Sequence, residues 1–124
     1  MPFYLSQWNY KDTTFRQMIL EKQNRQEVVR VAIEAFNGRL LSFFYCFGEY
    51  DGMCISEFVD NETAQACLMS VFGQGNVQRI RSTPLLTQEE VNSSIQKARH
   101  AIRSSRDQLS LDEARPPTGE PSRD

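Results

Sequence analysis

Two short apolar segments, residues 39–47 and 50–58, strongly limit the folds open to this chain. Only Gly48 and Glu49 separate them, so they are predicted to pair as an antiparallel hairpin. A strand with one solvated face alternates apolar and polar residues, whereas the first segment is apolar on both faces. One face would carry Leu41, Phe43, Tyr45 and Phe47, and the other Leu40, Phe44 and Cys46. Both faces of the hairpin are therefore expected to be covered.

The surrounding sequence supplies the other elements of an α+β fold. Apolar spacing predicts a strand at 3–9, helices at 25–36 and 61–72, and a strand at 77–83. Asp12 is expected to cap an earlier helical stretch, which turns polar at 21–27. Gly38 is expected in the left-handed conformation after the second helix, and Pro84 is expected to end the last strand. The resulting β-α-β-β-α-β order predicts a ferredoxin-like fold with a four-stranded antiparallel sheet.

The sequence also predicts three regions along the chain. Residues 1–86 form the α+β domain, and a capping box between Thr87 and Glu90 opens a C-terminal helix over 87–104. Residues 105–124 contain three prolines, one glycine and eight charged side chains, a composition that predicts a disordered tail.

Two helices can cover only one face of such a sheet. A second copy of the chain is the simplest cover for the other face, which predicts a homodimer or a higher homo-oligomer of the dimeric α/β-barrel type. Burial of roughly 600 Å² of apolar surface per subunit would contribute about 15 kcal/mol before entropic costs. The alternative is that the C-terminal helix folds back over this face.

Composition argues against several other classes of protein. The net charge of −2 does not favour a nucleic-acid or membrane partner. No signal peptide or membrane span is evident, so a cytoplasmic location is expected. Three cysteines without a CxxC motif and a single histidine, His100, predict neither a metal site nor a disulfide framework. No cofactor-binding motif is present, so no cofactor is expected.

Several short motifs resemble the GYD domain family. They are Gly38-Arg39-Leu40, Phe47-Gly48-Glu49-Tyr50-Asp51, Glu57-Phe58-Val59-Asp60-Asn61-Glu62 and Gly75-Asn76-Val77. The resemblance spans about residues 3 to 90 and implies the dimeric α/β-barrel fold, but it implies no reaction. The chain departs from the family pattern in its C-terminal extension, and in Lys22-Gln23-Asn24, where many relatives have a proline-containing break.

Asp51, Tyr50 and Glu57 are the candidate catalytic residues. Asp51 and Glu57 are expected to share a strand face with Met53 and Ile55, where desolvation would raise a carboxyl pKa and suit it to acid or base chemistry. The alternatives are that Asp51 caps the hairpin turn and that Glu57 lies in water at the strand end.

The candidate ligand-binding residues are aromatic, apolar or cationic. Aromatic side chains could line a cavity or simply pack in the core. An arginine pair on the last strand could clamp a carboxylate or protect a sheet edge from aggregation. These candidates are Tyr4, Trp8, Phe43, Tyr45, Met53, Arg79 and Arg81.

Two functions remain open from the sequence. The chain could bind or process a small organic ligand inside a dimeric barrel, or it could be a non-catalytic assembly module. The first predicts a closed cavity of roughly 300 Å³ or more, and the second a filled interior.

Overall fold

The computed structural model describes residues 1–114, with side chains through Leu109. The chain divides into two compact units, Met1–Leu86 and a second that begins at Thr87. The elements of the first unit are β1 (Phe3–Tyr10), α1 (Asp12–Glu21), α2 (Arg25–Glu34), β2 (Arg39–Tyr45), β3 (Gly52–Glu57), α3 (Asn61–Gly73) and β4 (Val77–Leu85).

The four strands form one antiparallel sheet in the order β2-β3-β1-β4. The strand order and the antiparallel pairing of β2 with β3 confirm the predicted ferredoxin-like α+β fold. The expectation that Pro84 ends the last strand is wrong, because β4 continues to Leu85 and Pro84 pairs with Tyr4. Since β4 is an edge strand, the missing N–H of Pro84 can point away from the sheet without breaking a ladder.

The segment between β1 and β2 forms two separate helices, α1 and α2. Lys22, in the left-handed conformation with φ of 51°, ends α1, and Asn24 caps α2 by accepting a hydrogen bond from the Glu27 amide. Asp12 is the first residue of α1 rather than its cap, since Lys11 holds that position and makes no side-chain cap.

The turn after α2 differs from the prediction. Asn37 has φ of 58° and takes the left-handed position expected for Gly38. Gly38 is needed for space, because a Cβ there would lie 2.7 Å from the Phe58 ring and 2.8 Å from Ile33.

A bulge in β2 changes which of its residues share a face. Leu40 pairs with Ser56 and Ser42 pairs with Ile55, so Leu41 is an extra residue between them. Phe43 therefore lies on the same face as Leu40, and the predicted grouping of Leu41 with Phe43 is wrong.

The core lies between the sheet and the helices. Side chains along β1 alternate between buried and half-buried, which is the period of a strand covered more fully on one side. α2 contributes Ile33 to this core, and α3 contributes Ala64 and Cys67. We call the side of the sheet that packs against α2 and α3 the covered face, and the opposite side the open face.

The second unit consists of helix α4 (Gln88–Ala114) in the described residues. The predicted capping box is confirmed, since the Thr87 amide donates to Glu90 and the Glu90 amide donates to the Thr87 hydroxyl. The helix continues ten residues past its predicted end at 104, through part of the predicted tail. The rest of that tail, 115–124, lies outside the described residues. None of the helices in residues 1–114 has the length and apolar character to cross a bilayer.

Candidate functional site

A cavity of about 60 Å³ lies beneath the covered face, between the sheet and helices α2 and α3. The strand β1 places four successive inward side chains against it, because every second residue of a strand points the same way. These residues are Tyr4, Ser6, Trp8 and Tyr10. Most of the remaining lining is aliphatic, with Val29, Ala32, Leu68, Val71 and Ile80 among it.

Two buried polar atoms at this cavity have no hydrogen-bond partner among the described residues. They are the Tyr10 hydroxyl and the Arg25 Nε, and their residues are only 3% and 7% exposed. Buried polar atoms are nearly always paired, because loss of hydration without a replacement partner costs roughly 1–3 kcal/mol. Both residues line the cavity, whose other lining is mostly apolar apart from Ser6 and Ser82.

Arg25 is the first residue of α2 and contacts Tyr10, Gln23 and Tyr45. Its guanidinium carbon lies 5.4 Å from the centroid of the Tyr10 ring, and its Nη1 donates a long 3.4 Å hydrogen bond to Gln23. Its backbone amide donates to the Tyr45 hydroxyl at 3.2 Å. None of the ion pairs among the described side chains includes Arg25. Arg25 is therefore a largely buried residue whose charge has no carboxylate partner among the described side chains.

The aromatic candidates meet on the covered face. Trp8 stacks at a tilt against Phe43, with centroids 5.8 Å apart, and Phe43 makes an edge contact with Tyr45 at 5.0 Å. Trp8 and Tyr4 line the cavity, whereas Phe43 and Tyr45 lie beside it. The Tyr4 hydroxyl donates to Asn61 at the start of α3.

The two buried cysteines are poor nucleophiles. Burial raises the pKa of Cys54 to about 12 and that of Cys67 to about 11, because the apolar surroundings disfavour the thiolate. Both line the cavity. They act there as small apolar side chains, and no Asp, Glu or His lines the cavity within the described residues.

The size of the cavity bears on the two sequence-based hypotheses. A volume of 60 Å³ is about a fifth of the roughly 300 Å³ at which drug-sized pockets begin. The interior is neither filled nor large, so it can admit only a compact molecule.

The open face carries a different set of side chains. Register places Leu5 beside Ile55, Gln7 between Met53 and Arg81, and Phe44 opposite Met53. Phe44 is 61% exposed in the single chain. Met53 thus lies on the opposite side of the sheet from Phe43, so the two cannot form one wall of a ligand site.

A polar corner lies at one end of the open face. The Arg79 guanidinium carbon lies 5.2 Å from the centroid of the Tyr50 ring, and its Nε and Nη2 donate to Asn9. The Tyr50 hydroxyl raises the pKa of Arg81 above its ordinary value. Tyr50, Arg79 and Arg81 are therefore brought together, away from Tyr4 and Trp8.

The candidate acids make structural contacts. The Asp51 carboxylate accepts from the Tyr10 amide at 2.9 Å and from the Asn9 side chain at 3.2 Å, which ties the hairpin to β1. Glu57 accepts from Arg39 at 3.1 Å, and its side chain is only 12% exposed. The alternative that placed Glu57 in water is therefore wrong. No cluster of metal-ligating side chains occurs in the described part of the chain.

Sequence reasoning missed Arg25 and Tyr10. The predicted strand at 3–9 stops one residue short of Tyr10, which is the last residue of β1 and in phase with Tyr4 and Trp8. Arg25 was not singled out, because it lies in the polar stretch 21–27. The period of two along β1 was the signal that could have found Tyr10, whereas the burial of Arg25 depends on the break at Lys22 to Asn24.

These features define a ferredoxin-like α+β protein with one covered and one open sheet face. The GYD domain family matches residues 4–95, and the chain belongs to that family. None of the curated proteins matches the chain.

Among solved structures, the chain is similar to a transcriptional regulator from Neisseria meningitidis in a complex with L-Met. The TM-score is 0.50 and the sequences are 13% identical, over 70% of this chain and 51% of that chain. The chain thus spans about half the length of that regulator. At this identity, the likeness supports the fold alone.

Proposed function

We propose that this GYD domain protein is a homo-oligomeric, cytoplasmic binding protein for a compact organic molecule. The ligand occupies the cavity beneath the covered face, and the open face of the sheet packs against a second copy of the chain. The two unpartnered polar atoms in an apolar cavity carry the ligand proposal. Binding is favoured over catalysis, because the cavity presents neither a carboxylate nor an activated thiol among the described residues.

The proposed oligomer rests on the apolar open face. Leu5, Phe44, Met53 and Ile55 occupy neighbouring register positions there, and partial exposure of all four leaves a patch that a solvated sheet face would not carry. A second copy offers the same patch, as a two-fold interface requires.

The ligand proposal is tested by filling the cavity. Ala64 is buried and lines the cavity, while Ala66 on the same helix is exposed. A thermal-shift screen of small organic acids and phenols should find ligands that raise the melting temperature of the wild type. Ala64→Val should abolish those shifts and Ala66→Val should retain them. A screen without any shift would contradict the proposal and favour the assembly module.

The oligomer is tested by light scattering at micromolar concentration. The wild type should have the mass of a dimer or larger assembly, and Ile55→Lys should yield a folded monomer, because it buries an unpaired charge in the interface. Gln78→Lys, at an exposed position of β4, is the matched charge control and should remain oligomeric. A monomeric wild type would refute this part of the proposal.

A further inference from the structure

Arg25 presents an electrostatic problem that the described chain does not solve by itself. Arginine stays charged at any ordinary pH, and a buried charge without a counter-charge is strongly unfavourable. Arg25 is only 7% exposed, and its Nε has no hydrogen-bond partner among the described residues. Its contact with the Tyr10 ring supplies only weak compensation. An anion in the cavity would complete the site.

Tyr10 supplies a second donor at the same place. Burial raises the pKa of Tyr10 above its ordinary value. The N–H groups of Trp8 and Arg25 lie near the hydroxyl and offset part of this rise, although neither meets the geometry of a hydrogen bond with it. The phenol is therefore neutral near pH 7 and retains a proton to donate. A cation and a neutral hydroxyl donor suit a carboxylate, which accepts charge-assisted hydrogen bonds through both oxygens.

We propose that the cavity binds a short monocarboxylate, with its carboxylate on Arg25 and Tyr10 and its carbon chain between α2 and α3. This inference rests on the proposed function and specifies the class of ligand. Val29, Ala32 and Val71 would contact the apolar end. Phosphate or sulfate fits less well, because their oxygens would also face these aliphatic side chains without hydrogen bonds.

The cavity sets the length of the acid. One water occupies about 30 Å³ in the liquid, and a cavity of about 150 Å³ holds benzene. A cavity of 60 Å³ therefore suits an acid of two or three carbons. A free amino acid should bind more weakly, since no carboxylate among the described residues lines the cavity to pair with its ammonium group.

Three probe molecules of similar size test whether binding needs the carboxylate charge and whether it tolerates an ammonium group. Propionate has the acid and the short chain, propionamide lacks the charge, and L-alanine adds an ammonium group. At ten times its dissociation constant, propionate should raise the melting temperature by about 5 °C, with chloride at equal ionic strength as the reference. Propionamide and L-alanine should bind at least tenfold more weakly.

Matched arginine variants locate the site. Arg25→Met keeps the length of the side chain and removes its charge, so it should weaken propionate at least tenfold. Because it also removes an unpaired buried charge, it should raise the melting temperature of the ligand-free protein by about 2–4 °C. Arg79→Met, in the polar corner of the open face, should change neither the propionate affinity nor the melting temperature of the ligand-free protein.

Tyr10→Phe is the second variant, which should fold even if Arg25→Met does not, because it removes only the unpaired hydroxyl. It should weaken propionate several-fold. The fluorescence of Trp8, the single tryptophan, reports whether each variant is folded.

Each contrary result has a distinct meaning. Equal shifts with propionate and propionamide, or a propionate shift that survives Arg25→Met, would overturn the carboxylate inference and leave the cavity as a binding site. Loss of the shift in Arg79→Met but not in Arg25→Met would also overturn it, and would place the anion at the polar corner. If neither these probes nor the wider screen of acids and phenols produces a shift, both the inference and the proposed function fail.

Discussion

The covered and open faces of the sheet are built from alternate residues of the same strands, yet their side chains differ in what they contact. On the covered face, Tyr4 and Trp8 are about 5% exposed and pack against helices. On the open face, the neighbouring residues are half-buried, and Phe44 on β2 is 61% exposed. The alternation of side chains along the strands therefore gives the sheet two different surfaces. The covered face borders a small, mostly apolar cavity, and the open face presents an apolar patch.

The distribution of arginines sharpens this comparison. On the open face, Arg79 has Asn9 and the Tyr50 ring as partners, and its charge is accessible to water. Beneath the covered face, Arg25 is buried and lacks a counter-charge. An exposed arginine gains little from an added anion, because water already solvates it, whereas a buried one gains much more. The covered face is therefore the stronger candidate for anion binding.

The largest expected effect is the difference in the free energy of unfolding between substitutions on the covered face and on the open face. Trp8→Ala should lower the free energy of unfolding by about 3–5 kcal/mol, because it removes a buried indole from the covered face. Phe44→Ala should change the stability of the isolated subunit by no more than about 0.5 kcal/mol, because most of its ring is exposed there. Urea denaturation of a monomeric background, such as Ile55→Lys, measures both. Equal losses would contradict the division between the faces.

A smaller effect is expected from glycines at the hairpin. A Cβ at Gly52 would lie 2.6 Å from the Trp8 indole, whereas nothing lies within 4 Å of a Cβ at Gly48. Gly52→Ala should therefore cost about 1–3 kcal/mol through overpacking of the covered face. Gly48→Ala, in the same hairpin, should be close to neutral by the same denaturation measurement. A neutral Gly52→Ala would mean that the indole has room to move.

The smallest effect concerns thiol reactivity. The unperturbed cysteine pKa is 9.0, and burial raises that of Cys54 to about 12 and that of Cys67 to about 11. Their neutral forms favour the folded state fully below pH 9, and this stabilisation declines as the pH rises from 9 towards the folded values. At pH 8, iodoacetamide should modify Cys46 first and leave the other two intact until urea unfolds the chain. Mass spectrometry showing early modification of Cys54 would contradict the burial of the covered face.

Much of the fold could be predicted because it follows from local patterns. The strand and helix order, the hairpin and the Thr87 capping box all arise from residues close together in sequence. The faces of β2 could not be predicted, because the bulge at Leu41 shifts the period and is defined only by pairing with β3. The roles of Pro84 and Gly38 were mispredicted for a similar reason. The edge position of Pro84 and the crowding around Gly38 both depend on residues distant in sequence.

The candidate site was predicted in part. Tyr4 and Trp8 line the cavity, and the sequence indicated them as aromatic residues of β1. Arg25 could not be found in this way, because its guanidinium comes to lie over Tyr10, fifteen residues earlier, only once the chain breaks between α1 and α2.

The most direct test of where a ligand binds is a propionate titration followed by ¹⁵N-correlated nuclear magnetic resonance. The chain has one tryptophan, so the indole N–H of Trp8 gives a single assignable signal at the cavity. Saturable shifts of that signal and of the Arg25 Nε–H, with the Arg79 and Arg81 side-chain signals unchanged, are the predicted result. Shifts confined to Arg79 and Arg81, with the Trp8 indole unmoved, would contradict the account.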